Sequence, residues 1–145
     1  AQWLAEPYVL PKGVIGVETD TNKSKRGDGS TLYTALPYSG AAYVNNQSAA
    51  YTFALTDAGG IVSHPVGDNN ARTFTIPANA SVAFPIGTQI FITNEINTVT
   101  IAITTDTLKF GAAGTGSRTL TVGGTATITK LTSTIWRISG SSELS

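Results

Sequence analysis

Beyond residue 50, hydrophobic and polar positions alternate with a period of two in one short run after another. TFTI (73 to 76), QIFITNEI (89 to 96), TVTIAIT (98 to 104), TLTVGG (119 to 124), ATITKL (126 to 131) and TIWRIS (134 to 139) follow this rule over part of their length. Each places Ile, Val, Leu or Phe on one side and Thr or another polar residue on the other. This is the signature of a half-buried strand, and branched Thr and Ile suit a pleated surface. Turn residues separate the runs at Pro77-Ala78-Asn79, Gly111 to Gly116 and Gly123-Gly124. Strands recurring at roughly ten-residue intervals predict a sandwich, barrel or prism, not alternating strands and helices. The sequence shows no internal repeat.

The N-terminal third reads differently. AQWLAEP (1 to 7) carries the one helical hint, which Pro7 ends after about one turn. GVIGVETD (13 to 20) is apolar and then polar, a glycine-rich turn follows at 27 to 29, and TLYTALPY closes the segment at 38. The small polar stretch SGAAYVNNQSAA (39 to 50) is expected to be a linker, or a loop between two packed units. The fold class expected is therefore all-β: a small β-rich module over 1–40, then a Thr-rich β domain over 41–145 of sandwich or prism type.

Composition narrows the function classes. The 145 residues are 41% hydrophobic, enough for a core, but only 12% charged, with nine basic and nine acidic residues. A net charge of zero supplies no long-range pull toward nucleic acid or an anionic membrane, so neither partner is expected. With no cysteine, disulfides, thiolate metal sites and a cysteine nucleophile fall away. No run approaches the ~18 apolar residues of a spanning helix. Ala1 in place of an initiator methionine implies a trimmed, processed or incomplete N-terminus. Sparse charge also leaves strand edges unguarded, and symmetric association would cover them.

Candidate chemistry is thin. His64 is the single histidine, read as a loop residue before Pro65, and no G-x-S-x-G elbow accompanies it. Glu18 and Asp20 share one side of a strand, whereas paired glycosidase carboxylates flank a bond across a groove. Asp68-Asn69-Asn70 offers oxygen ligands without a calcium-loop pattern and reads as a polar turn. Gly111 to Gly116 lacks the strand-to-helix context of a phosphate cradle and reads as a flexible loop. Trp3, Tyr8, Tyr33, Tyr38, Tyr43 and Trp136 are the aromatic candidates for a sugar or base contact. Of these, Trp136 lies mid-strand, which places it in the core or at a subunit interface. We expect no enzyme, no cofactor and no metal site. Arg26-Gly27-Asp28 spells an adhesion triplet. Asp28 between Gly27 and Gly29 nevertheless suits a tight turn, because glycine accepts positive φ and aspartate binds nearby amides.

Gln2-Trp3, Gly13 to Thr21 with Glu18-Thr-Asp20-Thr21, Lys25-Arg-Gly-Asp-Gly29-Ser-Thr31 and Leu36-Pro37-Tyr38 together resemble a module of bacteriophage structural proteins. That module occurs near the N-termini of tail fibres, head fibres and proteins similar to the major tropism determinant. Its pattern has an acidic residue where Val14 stands, Trp where Tyr33 stands and an apolar residue where Arg26 stands. G-D-G is its fixed element, so Arg26 completes the adhesion triplet by local substitution. FALTDAGGIV (53 to 62), TFTIPANASVAFPIGTQIFI (73 to 92) and ATITKLTSTIWRISG (126 to 140) resemble a C-terminal β domain of phage fibres and virion appendages. The resemblance implies a homotrimeric structural protein of a tailed-phage virion, assembled in the bacterial cytoplasm: a head fibre, capsid decoration protein or fibre segment. Its partners would be itself and capsid or tail proteins. A receptor-binding module that recognises host-surface glycan through Tyr and Asn is the alternative. On this reading Gly27, Asp28 and Gly29 form a structural turn, and Tyr33, Tyr38, Tyr43 and Trp136 are the candidate ligand or interface contacts.

Overall fold

The computed structural model describes residues 8–19, 23–40 and 42–141, so the helical hint at 1–7 and Asp20 lie outside the described residues. The protein is all-β, and its contacts divide it into two compact units, Ala1–Ala41 and Ala42–Ser145.

Unit 1 is built on an antiparallel hairpin of β1 (Ile15–Glu18) and β2 (Lys23–Arg26), with Glu18 opposite Lys23 and Ile15 opposite Arg26. Two strands alone are marginal in water. Here the chain before β1 runs alongside the chain after β2 and ties the pair down. Gly13 N donates to Gly27 O at 2.8 Å, Gly29 N to Leu10 O at 3.1 Å and Tyr33 N to Tyr8 O at 2.7 Å. A short 3-10 turn over Tyr33–Ala35 then folds back, burying Leu10, Tyr33 and Leu36 as a miniature core.

Unit 2 is a sandwich of two sheets. From β3 (Val44–Asn46) through β4 (Tyr51–Thr52), β5 (Ile61–His64), β6 (Arg72–Ile76), β7 (Gln89–Asn94) and β8 (Val99–Ile103), the chain alternates between them. β3, β5 and β7 stack in parallel in one sheet, and β4, β6 and β8 stack in parallel in the other. Each strand of one sheet thus serves as the crossover that a parallel pair in the other requires. The result is a solenoid-like stack with no sequence repeat beneath it.

The remaining strands close the stack. β9 (Thr107–Phe110), β10 (Gly114–Thr115) and the hairpin of β12 (Thr125–Lys130) with β13 (Ile135–Ser141) extend the first sheet to seven strands, ordered β10-β9-β13-β12-β7-β5-β3. β11 (Arg118–Leu120) completes the second, ordered β11-β8-β6-β4. Between the sheets, alternate residues of each strand meet. Phe53, Val62, Phe74, Ile90, Ile92, Ile101, Leu108, Leu120, Ile128 and Trp136 are all fully buried.

Three sequence expectations need correction. The stretch 39–50 is not wholly linker, because Val44–Asn46 pairs in register with Ile61–Ser63. Gly111 to Gly116 is not only a loop, because Gly114 and Thr115 pair with Phe110 and Lys109. The edges are also less vulnerable than composition implied. The outermost strands β3, β4, β10 and β11 have three residues or fewer, and short edges offer little ladder for another chain to extend.

Candidate functional site

Several described residues of the N-terminal segment converge inside unit 1. Lys25 occupies the inner face of β2 and is buried; its Nζ donates to Tyr33 O at 3.0 Å and Thr34 O at 3.3 Å. The same ammonium lies 4.9 Å from the Tyr33 ring centroid and 4.6 Å from that of Tyr38, with Glu18 Oε1 at 3.8 Å. Tyr38 OH in turn donates to Glu18 Oε2 at 2.9 Å. The cation is stabilised by two ring faces, two carbonyls and one carboxylate, a set that offsets the cost of burying it. Tyr33, proposed from sequence as a ligand contact, is buried with its ring against Lys25. Tyr38 is committed to Glu18 and Lys25, although 37% exposed.

The Gly27-Asp28-Gly29 turn is equally committed. One Asp28 carboxylate oxygen accepts from Ser30 N at 2.9 Å and Thr31 N at 2.7 Å, and the other accepts the Thr31 hydroxyl. These bonds, led by the Thr31 hydroxyl, hold the carboxyl well below the usual carboxylate range. Gly27 is required by space: a Cβ there would stand 2.3 Å from Pro11 O and 2.6 Å from Leu10 Cβ. Gly29 is required by conformation, with φ of +85°. The carboxylate of the adhesion triplet is therefore occupied within its own turn.

On the other side of the hairpin, Ile15 and Val17 are 63% and 53% exposed. With Leu10, Val14 and Tyr33 they border an apolar groove of about 280 Å³.

In unit 2 the polar side chains also close on one another. His64 is not the loop residue expected from sequence; it ends β5 and is fully buried. Its Nδ1 lies 2.8 Å from Asn94 Oδ1, and its Nε2 lies 3.1 Å from Asp68 Oδ2. Asn94 is orientated by its Nδ2, which donates to Asn97 O, Leu120 O and Thr121 O at 2.9–3.1 Å, so its Oδ1 is the end that faces the ring. Both ring nitrogens therefore point at acceptors. Asp68 accepts a two-pronged guanidinium contact from Arg72, Nε on Oδ2 and Nη2 on Oδ1 at 2.8 Å, and an amide N–H from Asn70 at 2.6 Å. Arg72 first, then Asn70, holds the Asp68 carboxyl well below its ordinary range. That carboxylate, the strongest oxygen ligand of the 68–70 cluster, is thus already spent. No cluster of His, Asp and Glu with metal-holding potential occurs among the described residues.

A third network lies where β3 and β4 begin the stack. Asp57, buried, accepts from Asn45 Nδ2 at 2.9 Å, Tyr51 OH at 2.9 Å and Ala54 N at 2.8 Å. Tyr51 also meets Phe53 and Phe74 edge-on, at centroid separations of 6.1 and 6.2 Å. Tyr43 is 62% exposed. Trp136, placed from sequence in the core or at a subunit interface, is fully buried against Phe84 at 5.4 Å. The sequence does carry a signal for these inward polar groups. Each completes a buried i, i+2 series: Val62-His64, Ile90-Ile92-Asn94 and Ala126-Ile128-Lys130.

The depressed carboxyls set the acid response. Both Asp28 and Asp68 sit below an unfolded value near 3.9, so their stabilisation is complete above that value and fades as pH falls beneath it. Melting temperature is expected to be level near pH 6 and to fall below about pH 4. Asp68→Asn should flatten that fall in unit 2, as read by circular dichroism melts across the range.

Compared with known proteins, the chain matches no family model and no curated sequence.

Proposed function

We propose that the chain is a non-enzymatic structural protein of a tailed-phage virion: a head fibre, capsid decoration protein or fibre segment. The observation that carries this reading is the place of the signature residues. Glu18, Lys25 and Tyr38 are bound to one another, and Gly27, Asp28 and Gly29 to their own neighbours in unit 1, where they fix a hairpin and its closing turn. A motif used in this way is an architectural device, and a virion module is where the resemblance locates it. Unit 1 then attaches, presenting the apolar outer face of its hairpin at Ile15 and Val17, and unit 2 forms the body that meets its copies. With strand edges this short, contact between copies falls to sheet faces and loops instead of edge pairing.

Light scattering coupled to size exclusion tests the assembly. A mass three times the 15.0 kDa of one chain is expected. A monomer at all concentrations that also binds no capsid or tail protein would contradict the proposal. The glycan-binding alternative rests on the exposed ring of Tyr43. It requires retention of a host-surface glycan on an array and loss of that retention in Tyr43→Ala.

A further inference from the structure

At the end of the sandwich core away from His64, Lys130 faces inward from the last position of β12 and is 1% exposed. Its Nζ lies 2.7 Å from Asn79 Oδ1, 51 residues away along the chain and just beyond β6. The ammonium also lies 5.3 Å from the Trp136 ring centroid. Among the described ion pairs none involves Lys130, so a side-chain amide oxygen is what faces this buried amine. Both reactants are fixed. The Lys130 backbone is held by Thr88 O at 2.9 Å and by Gly87 N at 2.8 Å, and Asn79 N donates to Asp106 Oδ2 at 3.1 Å.

We propose that Lys130 and Asn79 form an intramolecular isopeptide bond. A hydrogen-bond contact to Oδ1 puts the amide carbon, one bond further on, near the roughly 3–3.5 Å separation of a near-attack arrangement. In its neutral form Nζ attacks Asn79 Cγ, the Nζ–Cγ bond forms and the Cγ–Nδ2 bond breaks. The one proton lost from Nζ leaves on Nδ2, so a lysine amine and an asparagine amide become one secondary amide and one ammonia. No oxidant or cofactor is consumed. Asp106 is a positioning residue that orients Asn79 through its backbone N–H. Asn79 is half-buried, so the released ammonia has a route to solvent. In a chain without cysteine the bond would clamp the loop after β6 onto the β12–β13 hairpin, as a disulfide would elsewhere. The inference is independent of the virion reading.

Intact mass spectrometry of the purified wild-type chain tests it. The expected mass is one ammonia, about 17 Da, below the sequence mass, with a branched proteolytic peptide joining the segments that contain Asn79 and Lys130. Lys130→Arg keeps a long cationic side chain but not the nucleophilic amine, and it should have the full mass. Asp106→Asn should slow the loss of ammonia in a time course without moving the site of linkage. A wild-type chain at full sequence mass after prolonged warm incubation overturns the proposal. So does an ammonia loss that persists in Lys130→Arg, which would mean that an asparagine had cyclised on its own backbone.

Discussion

Trp136→Ala is expected to lower the stability of unit 2 by about 3–5 kcal/mol, the cost of deleting a large aromatic from a packed core. For a unit of this size that is a fall of roughly 10–25 °C in melting temperature. The ring is fully buried, packs edge-on against Phe84 and lies beneath Lys130 Nζ, so its loss opens a cavity under the side chains that it supports. Trp136→Phe should behave quite differently. The indole Nε1 is buried with no acceptor, so removing it relieves an unmet hydrogen bond while much of the packing is kept. A cost well below that of Trp136→Ala is expected, because most of the ring volume stays filled. Calorimetric melts of both variants decide the matter. A mild Trp136→Ala would mean that the ring is not the centre of the core at that end.

The second large effect concerns the turn at 27–29. Gly27→Ala is expected to abolish the fold of unit 1. The new methyl would stand 2.3 Å from Pro11 O, a backbone atom that cannot swing aside. Overpacking of even a yielding site costs about 1–3 kcal/mol, and the methyl would press on Leu10, one of the buried side chains on which the unit closes. Asp28→Ala should also destabilise unit 1, because it strips the acceptors from Ser30 N, Thr31 N and the Thr31 hydroxyl. Arg26→Ile should be tolerated, since that side chain is exposed. Hydrogen exchange over residues 8–40 reports the ordering. Greater damage from Arg26→Ile than from Asp28→Ala would mean that the turn is not what holds the module.

The alternating runs QIFITN, TATITK and IWRIS were legible as strands because each has one face to bury and one to expose, and a period of two is all that this requires. Their pairing was not legible. β5 lies beside β7 because β6 intervenes in the opposite sheet, and nothing in Ile61–His64 alone states that arrangement. The place of His64 was misjudged for a different reason. Residue type sends His, Asp, Asn and Lys outward, yet His64, Asp57, Asn94 and Lys130 are buried because each finds partners there. At the Gly27-Asp28-Gly29 turn the positive φ of Gly29 and the Asp28 acceptor are local features open to sequence reading, whereas Gly27 is demanded by Pro11 and Leu10, a contact that appears only in the fold. Tyr33 was read as a candidate ligand contact because its partner Lys25 lies eight residues away in sequence and meets it only once the hairpin closes.

The measurement that bears most directly on the proposed function is immunogold labelling of purified tailed-phage particles from the host that carries the gene, with antibody raised against unit 2. Gold at regular positions on heads or tails is the predicted result. Unlabelled particles, with the protein confined to the soluble lysate, would contradict a structural role in the virion.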